Sequence, residues 1–216
     1  MISTVLFDLD GTLSDSAPGI LSSLRRAFAD LDVPWPSEQV ARSLLGPPFW
    51  HTLPPLVGEE RTAQAIEIYR RYYVEDGGMY HTTRYDGVLE LVTALRERGL
   101  TLAVATSKPE IHAATIVDHL GLGGLFEFVC GDTLDGARDS KALVVGEALR
   151  RLGEPAPAQT QTLMVGDRSH DVLGAAANGL RCVGVLWGYG DEAELTAAGA
   201  LTTIATPLAL LGELDR

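Results

Sequence analysis

Cysteine is scarce in this chain: its 216 residues include only Cys130 and Cys182. The two stand far apart, each inside an apolar run (126–130 and 182–186), so buried free thiols are expected rather than a disulfide or a reactive cysteine. Long apolar runs are missing too. None approaches the ~20 residues of a membrane helix, and no basic segment leads into an extended apolar one near the N-terminus, so neither a membrane span nor a signal peptide is expected. A reducing, cytoplasmic setting follows as the expectation. Basic residues are few, 17 Lys and Arg against 29 Asp and Glu, for a formal charge of −12. Such a surface disfavours nucleic acid and anionic membranes as partners. It also repels a phosphate at long range, so any phosphate site has to be made locally positive. The five histidines, His51, His81, His112, His119 and His170, show no zinc-binding spacing. His170, the nearest of them to the motifs below, reads as an exposed side chain. Internal repeats and low-complexity segments are also lacking.

What remains is an ordinary globular composition, 46% hydrophobic and 21% charged, in a chain long enough for one full core or a core with a small inserted domain. Its most informative stretch is Val5-Leu6-Phe7-Asp8-Leu9-Asp10-Gly11-Thr12-Leu13. The apolar run from Thr4 to Phe7 reads as a buried strand. Two acids follow it, one residue apart, then a glycine for a sharp turn. Carboxylates at the end of a buried strand are costly unless something charged sits with them. A divalent cation would neutralise them, and oxygen-only ligands suit Mg²⁺. Backbone N–H groups in such a turn, ahead of a helix capped by Asp15 or Ser16, are also able to hold an anion.

The periodicity predicts helices over 17–31, 37–45 and 59–76, with Gly46-Pro47-Pro48-Phe49-Trp50 as a stiff apolar loop and 77–83 as a linker. As part of the inserted block, that loop is placed to close over a substrate. From Tyr85 the pattern changes to alternation. Helices are predicted over 86–98, 109–119, 140–152 and 169–178, and strands over 100–105, 126–130, 162–165 and 181–186. This predicts an α/β fold, a Rossmann-like parallel sheet with helices on both faces. Residues 1–15 and 83–216 form the α/β core domain, and 16–82 a small all-α cap domain inserted after the first strand.

Open parallel sheets bind ligands beyond the carboxyl ends of their strands. There stand Asp8 and Asp10, then Thr106-Ser107-Lys108, then Lys141 at a helix start, then Gly166-Asp167 with Asp171 one helical turn later. A lysine at a helix N-terminus opposes the macrodipole, which favours a functional role for Lys141. Arg138 and Lys108 read as surface or substrate-rim residues, Asp132 and Asp135 as turn builders, and Asp15 as a cap.

Asp8-x-Asp10-Gly11-Thr12, Thr106, Lys141 and Gly166-Asp167-x-x-x-Asp171, in that order, resemble the four motifs of the haloacid dehalogenase superfamily, and the helical block resembles its cap. Gly131-Asp132-Thr133-Leu134-Asp135-Gly136 and Val185-Leu186-Trp187-Gly188-Tyr189-Gly190 are similar to the phosphoglycolate phosphatase-like branch. The resemblance implies Asp8 as nucleophile, giving an aspartyl-phosphate, and Asp10 as general acid and then base. It implies Mg²⁺ held by Asp8, the Asp10 carbonyl and Asp167, with Asp171 orienting a metal-bound water or Lys141. Thr106, Lys141 and the backbone near Leu9, Asp10 and Ser107 would hold phosphoryl oxygens. Monoester hydrolysis can demand up to ~10²¹-fold acceleration, so these groups have to act together.

The expected activity is Mg²⁺-dependent hydrolysis of a small phosphorylated metabolite, such as phosphoglycolate, a nucleoside 5′-monophosphate or a sugar phosphate, by a monomer or weak homodimer. A phosphotransferase or phosphomutase would use the same intermediate with an alcohol in place of water. Dehalogenation of 2-haloacids needs neither metal nor a second acid, so Asp10, Asp167 and the DGT turn argue against it. A non-catalytic binding module would have no use for this complete set of acids and bases.

Overall fold

The computed structural model describes residues 2–153 and 161–214; Met1, 154–160 and 215–216 of the expected core lie outside the described residues. Six parallel strands form one sheet in the order β5-β4-β1-β6-β7-β8. They are β1 (Thr4–Phe7), β4 (Thr101–Pro109), β5 (Val129–Asp132), β6 (Thr162–Gly166), β7 (Arg181–Val185) and β8 (Thr202–Ile204). A separate antiparallel pair, β2 (Ser14–Asp15) and β3 (Thr83–Arg84), flanks the helical insertion.

Side chains alternate across a strand, and the sheet's residues divide accordingly. Val5, Phe7, Leu102, Val104, Leu163 and Val165 join one apolar cluster, while Leu6, Ala103, Ala105, Met164 and Cys182 join the other. Helices α6 (Val88–Glu97) and α7 (Glu110–His119) cover the first face; α8 (Lys141–Leu152), α9 (Ser169–Ala177) and α10 (Glu192–Ala197) cover the second. Burial on both faces explains the near-continuous apolar strands, and each fully buried Leu or Phe contributes roughly 1.5–3 kcal/mol. Both cysteines are buried and free. No helix among the described residues is long and apolar enough to cross a membrane.

The insertion contains α1 (Ala17–Asp30), α2 (Glu38–Ser43), α3 (Phe49–Thr52), α4 (Pro54–Val57) and α5 (Glu59–Arg70). Its Leu24, Phe28, Ile66, Tyr69 and Tyr73 belong to the same apolar cluster as the first sheet face. Chain exit and re-entry lie side by side, with Ser14 paired to Arg84 and Asp15 to Thr83. Of the two cap candidates, Ser16 is the N-cap of α1, without a side-chain capping bond, and Asp15 Oδ1 accepts from the Ala17 N–H at 3.2 Å one residue ahead of it.

Several boundaries differ from the sequence expectation for identifiable reasons. The strand expected over 126–130 is Val129–Asp132: Phe126 turns edge-on to Phe7 at 6.1 Å, while Gly131 extends the strand because a Cβ there would strike the backbone of Lys108 and Glu110. Strand β4 runs past Ala105 to Pro109 through an irregularity that Pro109 ends. The helix expected over 59–76 gives way after Arg70 to a π turn, Arg71–Glu75. Part of the expected apolar loop is the short helix α3, which Pro48 precedes. Residues beyond 186 form α10, β8 and a final 3₁₀ stretch, Pro207–Gly212, whose short lengths give little periodicity to read.

Candidate active site

The carboxyl ends of β1, β4 and β6 and the start of α8 meet at one edge of the sheet. Asp8 extends β1, its N–H donating to the Val165 carbonyl at 2.9 Å, and Asp167 follows β6 directly. Helix α8 begins with Ser140 as N-cap, whose hydroxyl accepts from the Leu143 N–H at 3.3 Å, and this aims Lys141 inward. The Lys141 ammonium donates to Asp8 Oδ1 at 2.6 Å and to the Ala105 carbonyl at 3.0 Å, and lies 2.8 Å from Asp171 Oδ1. Asp171 Oδ2 in turn accepts from the Arg168 N–H at 3.0 Å, closing the first turn of α9.

Oxygens of Asp8, Asp167 and Asp171 lie within 4.8 Å of one another, all buried. Three carboxylates therefore share one ammonium, and their environments push them apart. Asp8 is raised to about 7, chiefly by desolvation, against the attraction of Lys141 and with the charges of Asp171 and Asp10 adding to the rise. Asp167 is raised well above the carboxylate range by burial and by its two acidic neighbours. Asp171 is also desolvated, yet Lys141 outweighs that and holds it low. Lys141, despite its burial, is raised by Asp171 and Asp8. Charge left over after one lysine, in a donor set made only of oxygen, fits a hard divalent cation such as Mg²⁺. Asp8, Asp167 and the Asp10 backbone carbonyl are the groups that would hold it, with Asp171 behind Lys141.

The surroundings fix Asp167 in this pose. Its carboxylate accepts from Thr12 Oγ1 at 3.3 Å and from the Tyr189 N–H at 2.8 Å. A Cβ at Gly11 or Gly188 would run into it, so both glycines are needed for the approach. Among the described residues, nothing accepts from the Leu9 N–H, and the buried Ser107 hydroxyl has no hydrogen-bond partner. Unpaired donors beside Asp8 suit the oxygens of a bound anion. Thr106 is buried at the same edge, where its Oγ1 accepts from the Lys108 N–H at 3.3 Å.

Lys108 is not a surface side chain, but it lines the cleft beside Asp10, in keeping with a place at the substrate rim. Its side chain is 6% exposed, its Nζ stands 3.1 Å from Asp10 Oδ2, and it donates to the Tyr73 hydroxyl at 2.7 Å. Its position directly after Thr106-Ser107, near the carboxyl end of β4, is the sequence signal for it. His170 is likewise not exposed: it is half-buried beside Gly46, and desolvation lowers its pKa. Arg138 pairs with Glu110 at 3.4 Å instead of joining the acids. Asp132 and Asp135 build the turn, accepting from Thr133, Arg138 and Ala137 N–H groups.

Above Asp10 and Lys108 lies a cleft of ≈ 780 Å³, counting its mouth. Phe49, Trp50, Tyr69 and Tyr73 wall it, with Pro47 and Pro48 beside them and Arg70 and His112 as further polar groups. The Arg168 guanidinium reaches across from the core to the Leu45 carbonyl and also pairs with Glu194 at 3.0 Å.

Comparison with known proteins agrees with this geometry. The model of a family described as haloacid dehalogenase-like hydrolase matches residues 5–185. The tyrosine-protein kinase PtkA of Mycobacterium tuberculosis is 43% identical over 97% of this chain and 70% of its own. Its solved structure superposes with a TM-score of 0.84, at 41% identity, covering 100% of this chain and 99% of that one. A 5′-nucleotidase of Pseudomonas aeruginosa is 40% identical over 89% of this chain and 86% of its own. Phosphoglycolate phosphatase 1 of the same organism is 31% identical over 86% and 70% respectively.

Proposed function

This chain belongs to the haloacid dehalogenase-like hydrolase family, and from that premise we propose that it is a Mg²⁺-dependent phosphatase for a small-molecule phosphomonoester, working through an aspartyl-phosphate on Asp8. The observation that carries the reading is the buried pairing of Lys141 Nζ with Asp8 Oδ1 at 2.6 Å, inside a cluster of three carboxylates. Lys141 fixes one oxygen of Asp8, and the other is free to attack phosphorus. As the new O–P bond forms, the ester P–O bond breaks, and Asp10 gives its proton to the departing oxygen. Asp10 then takes a proton from water, the water oxygen attacks phosphorus, and the Asp8 O–P bond breaks to release inorganic phosphate. Thr106, Ser107, Lys141 and the Leu9 and Asp10 N–H groups hold the phosphoryl oxygens. Mg²⁺, when bound, shields the nucleophile from the anionic ester and stabilises charge on the transferring group.

Phosphoglycolate, nucleoside 5′-monophosphates and sugar phosphates are the candidate substrates; a monomer or weak homodimer in the cytoplasm suffices, with no nucleic-acid or membrane partner. The 5′-nucleotidase and phosphoglycolate phosphatase among the relatives support this reading. The relative named a tyrosine-protein kinase favours a second one, phosphoryl transfer to a hydroxyl acceptor. One experiment separates them. Phosphorylated metabolites are incubated with the protein and Mg²⁺ in ¹⁸O-water. Label in the released phosphate, lost with EDTA and with Asp8→Asn, supports hydrolysis; phosphate appearing on an added alcohol or tyrosine, with no label released, selects transfer.

A further inference from the structure

Lys108 joins the helical insertion to Asp10. Its ammonium donates to the Tyr73 hydroxyl at 2.7 Å and stands 3.1 Å from Asp10 Oδ2. Asp10 Oδ1, by contrast, is buried with no hydrogen-bond partner. A carboxylate with one oxygen fixed and the other bare offers a single defined atom to whatever enters the cleft. Tyr73 arrives from the helical insertion, on the π turn Arg71–Glu75, a rare backbone form that concentrates at functional sites. Its ring stacks on Tyr69 at 5.1 Å, and Tyr69 meets Phe49 edge-on at 4.8 Å, so the hydroxyl is held by packed rings.

We propose that Tyr73 and Lys108 are positioning residues for Asp10: the tyrosine of the insertion holds the lysine, and the lysine turns Asp10 so that Oδ1 faces the departing oxygen of a bound ester. The inference rests on the phosphatase reading, in which Asp10 hands a proton to that oxygen as the P–O bond breaks. It makes proton transfer depend on the insertion being seated on the sheet edge, because Tyr73 is, among the described residues, the acceptor that ties Lys108 to the insertion.

The test compares kcat/KM for two esters with Mg²⁺ present. The phenolate of p-nitrophenyl phosphate leaves without a proton, whereas the alkoxide of an alkyl phosphate needs one. Tyr73→Phe removes one oxygen and keeps the stacked rings; Lys108→Met removes the ammonium. For the alkyl ester we expect losses of about 10-fold in Tyr73→Phe and about 100-fold in Lys108→Met, within the range of general acid catalysis. For the aryl ester both losses are at least about 3-fold smaller than for the alkyl ester, and the double variant is no worse than Lys108→Met, since the two act in series. Lys108→Arg, which keeps a donor toward both partners, recovers most of the alkyl rate. Equal losses on both esters, or a double variant that multiplies the single losses, would overturn the proposal, as would a wild type that turns over aryl but no alkyl esters. A wild type inactive on both would instead defeat the phosphatase reading and carry this inference down with it.

Discussion

The Tyr189 N–H donates to Asp167 Oδ2 at 2.8 Å, while the hydroxyl of the same residue accepts from the N–H groups of Ser16 and Ala17 at 2.8 and 3.0 Å. One residue, through its backbone on one side and its hydroxyl on the other, thus connects a candidate metal ligand to the root of the helical insertion. Ala17 has a second acceptor in Asp15 Oδ1, but among the described residues the Ser16 N–H has none. In Tyr189→Phe the ring stays, the part-buried Ser16 N–H loses its acceptor, and Asp15 Oδ1 and the Ser16 hydroxyl lose their bonds to the tyrosine hydroxyl, a cost of about 1–3 kcal/mol. The backbone bond to Asp167 is untouched. Urea denaturation should therefore register the loss, while Mg²⁺ affinity by calorimetry stays within about 2-fold; a large fall in affinity would contradict this division of labour.

Lys141 is the single ammonium among three buried carboxylates, 2% exposed in its side chain. Removing one partner of a buried ion pair leaves the other uncompensated, at roughly 3–5 kcal/mol. Lys141→Met is expected to fall in that range without metal, and to regain part of it when Mg²⁺ is added. Phosphatase activity should drop by about 10³-fold or more, as for loss of a donor to developing charge. Thermal melts with and without Mg²⁺, alongside phosphate release, check both.

Much of this site could be read from the sequence because its residues sit where local pattern is strong. Asp8 and Asp10 end a four-residue apolar strand, and Lys141 stands against its helix dipole behind a Ser N-cap. Asp167 and Asp171 are fixed by one strand-to-helix turn. The burial of Lys108 has no local sequence signal, because its partner Tyr73 stands on a π turn that a 3.6-residue period does not register. The role of Tyr189 has no local signal either, since its bond to Ser16 spans 173 residues and its bond to Asp167 spans 22. Strand β8 has three residues, too few for alternation to register.

Gly11 has φ +90°, and a Cβ there would collide with the Asp167 carboxylate. Gly11→Ala therefore combines left-handed strain of roughly 1–2 kcal/mol with displacement of a candidate ligand. A fold that survives should show a lower melting temperature and little further shift on adding Mg²⁺. If the metal-induced shift matched that of wild type, Asp167 would not be a ligand.

The raised carboxylates make stability and metal binding depend on pH in opposite directions. Asp8 is 3.8 in the open chain and about 7 here, raised chiefly by desolvation. An acid raised on folding contributes stability that is fully present below the unfolded value and is lost as the pH climbs through the folded one. Asp167 shifts the same way, again through burial. In EDTA, the urea midpoint should thus fall between about pH 4 and about pH 7, by a few kcal/mol in free energy at ~1.4 kcal/mol per unit of pKa. Mg²⁺ binds the deprotonated carboxylates, so its stabilisation grows over the same interval, reaching about 2.7 kcal/mol where its concentration is about a hundred times Kd. The two midpoint curves, with and without metal, should converge near about pH 4 and separate by about pH 7. Parallel curves would mean that the metal, if bound at all, sits away from Asp8 and Asp167.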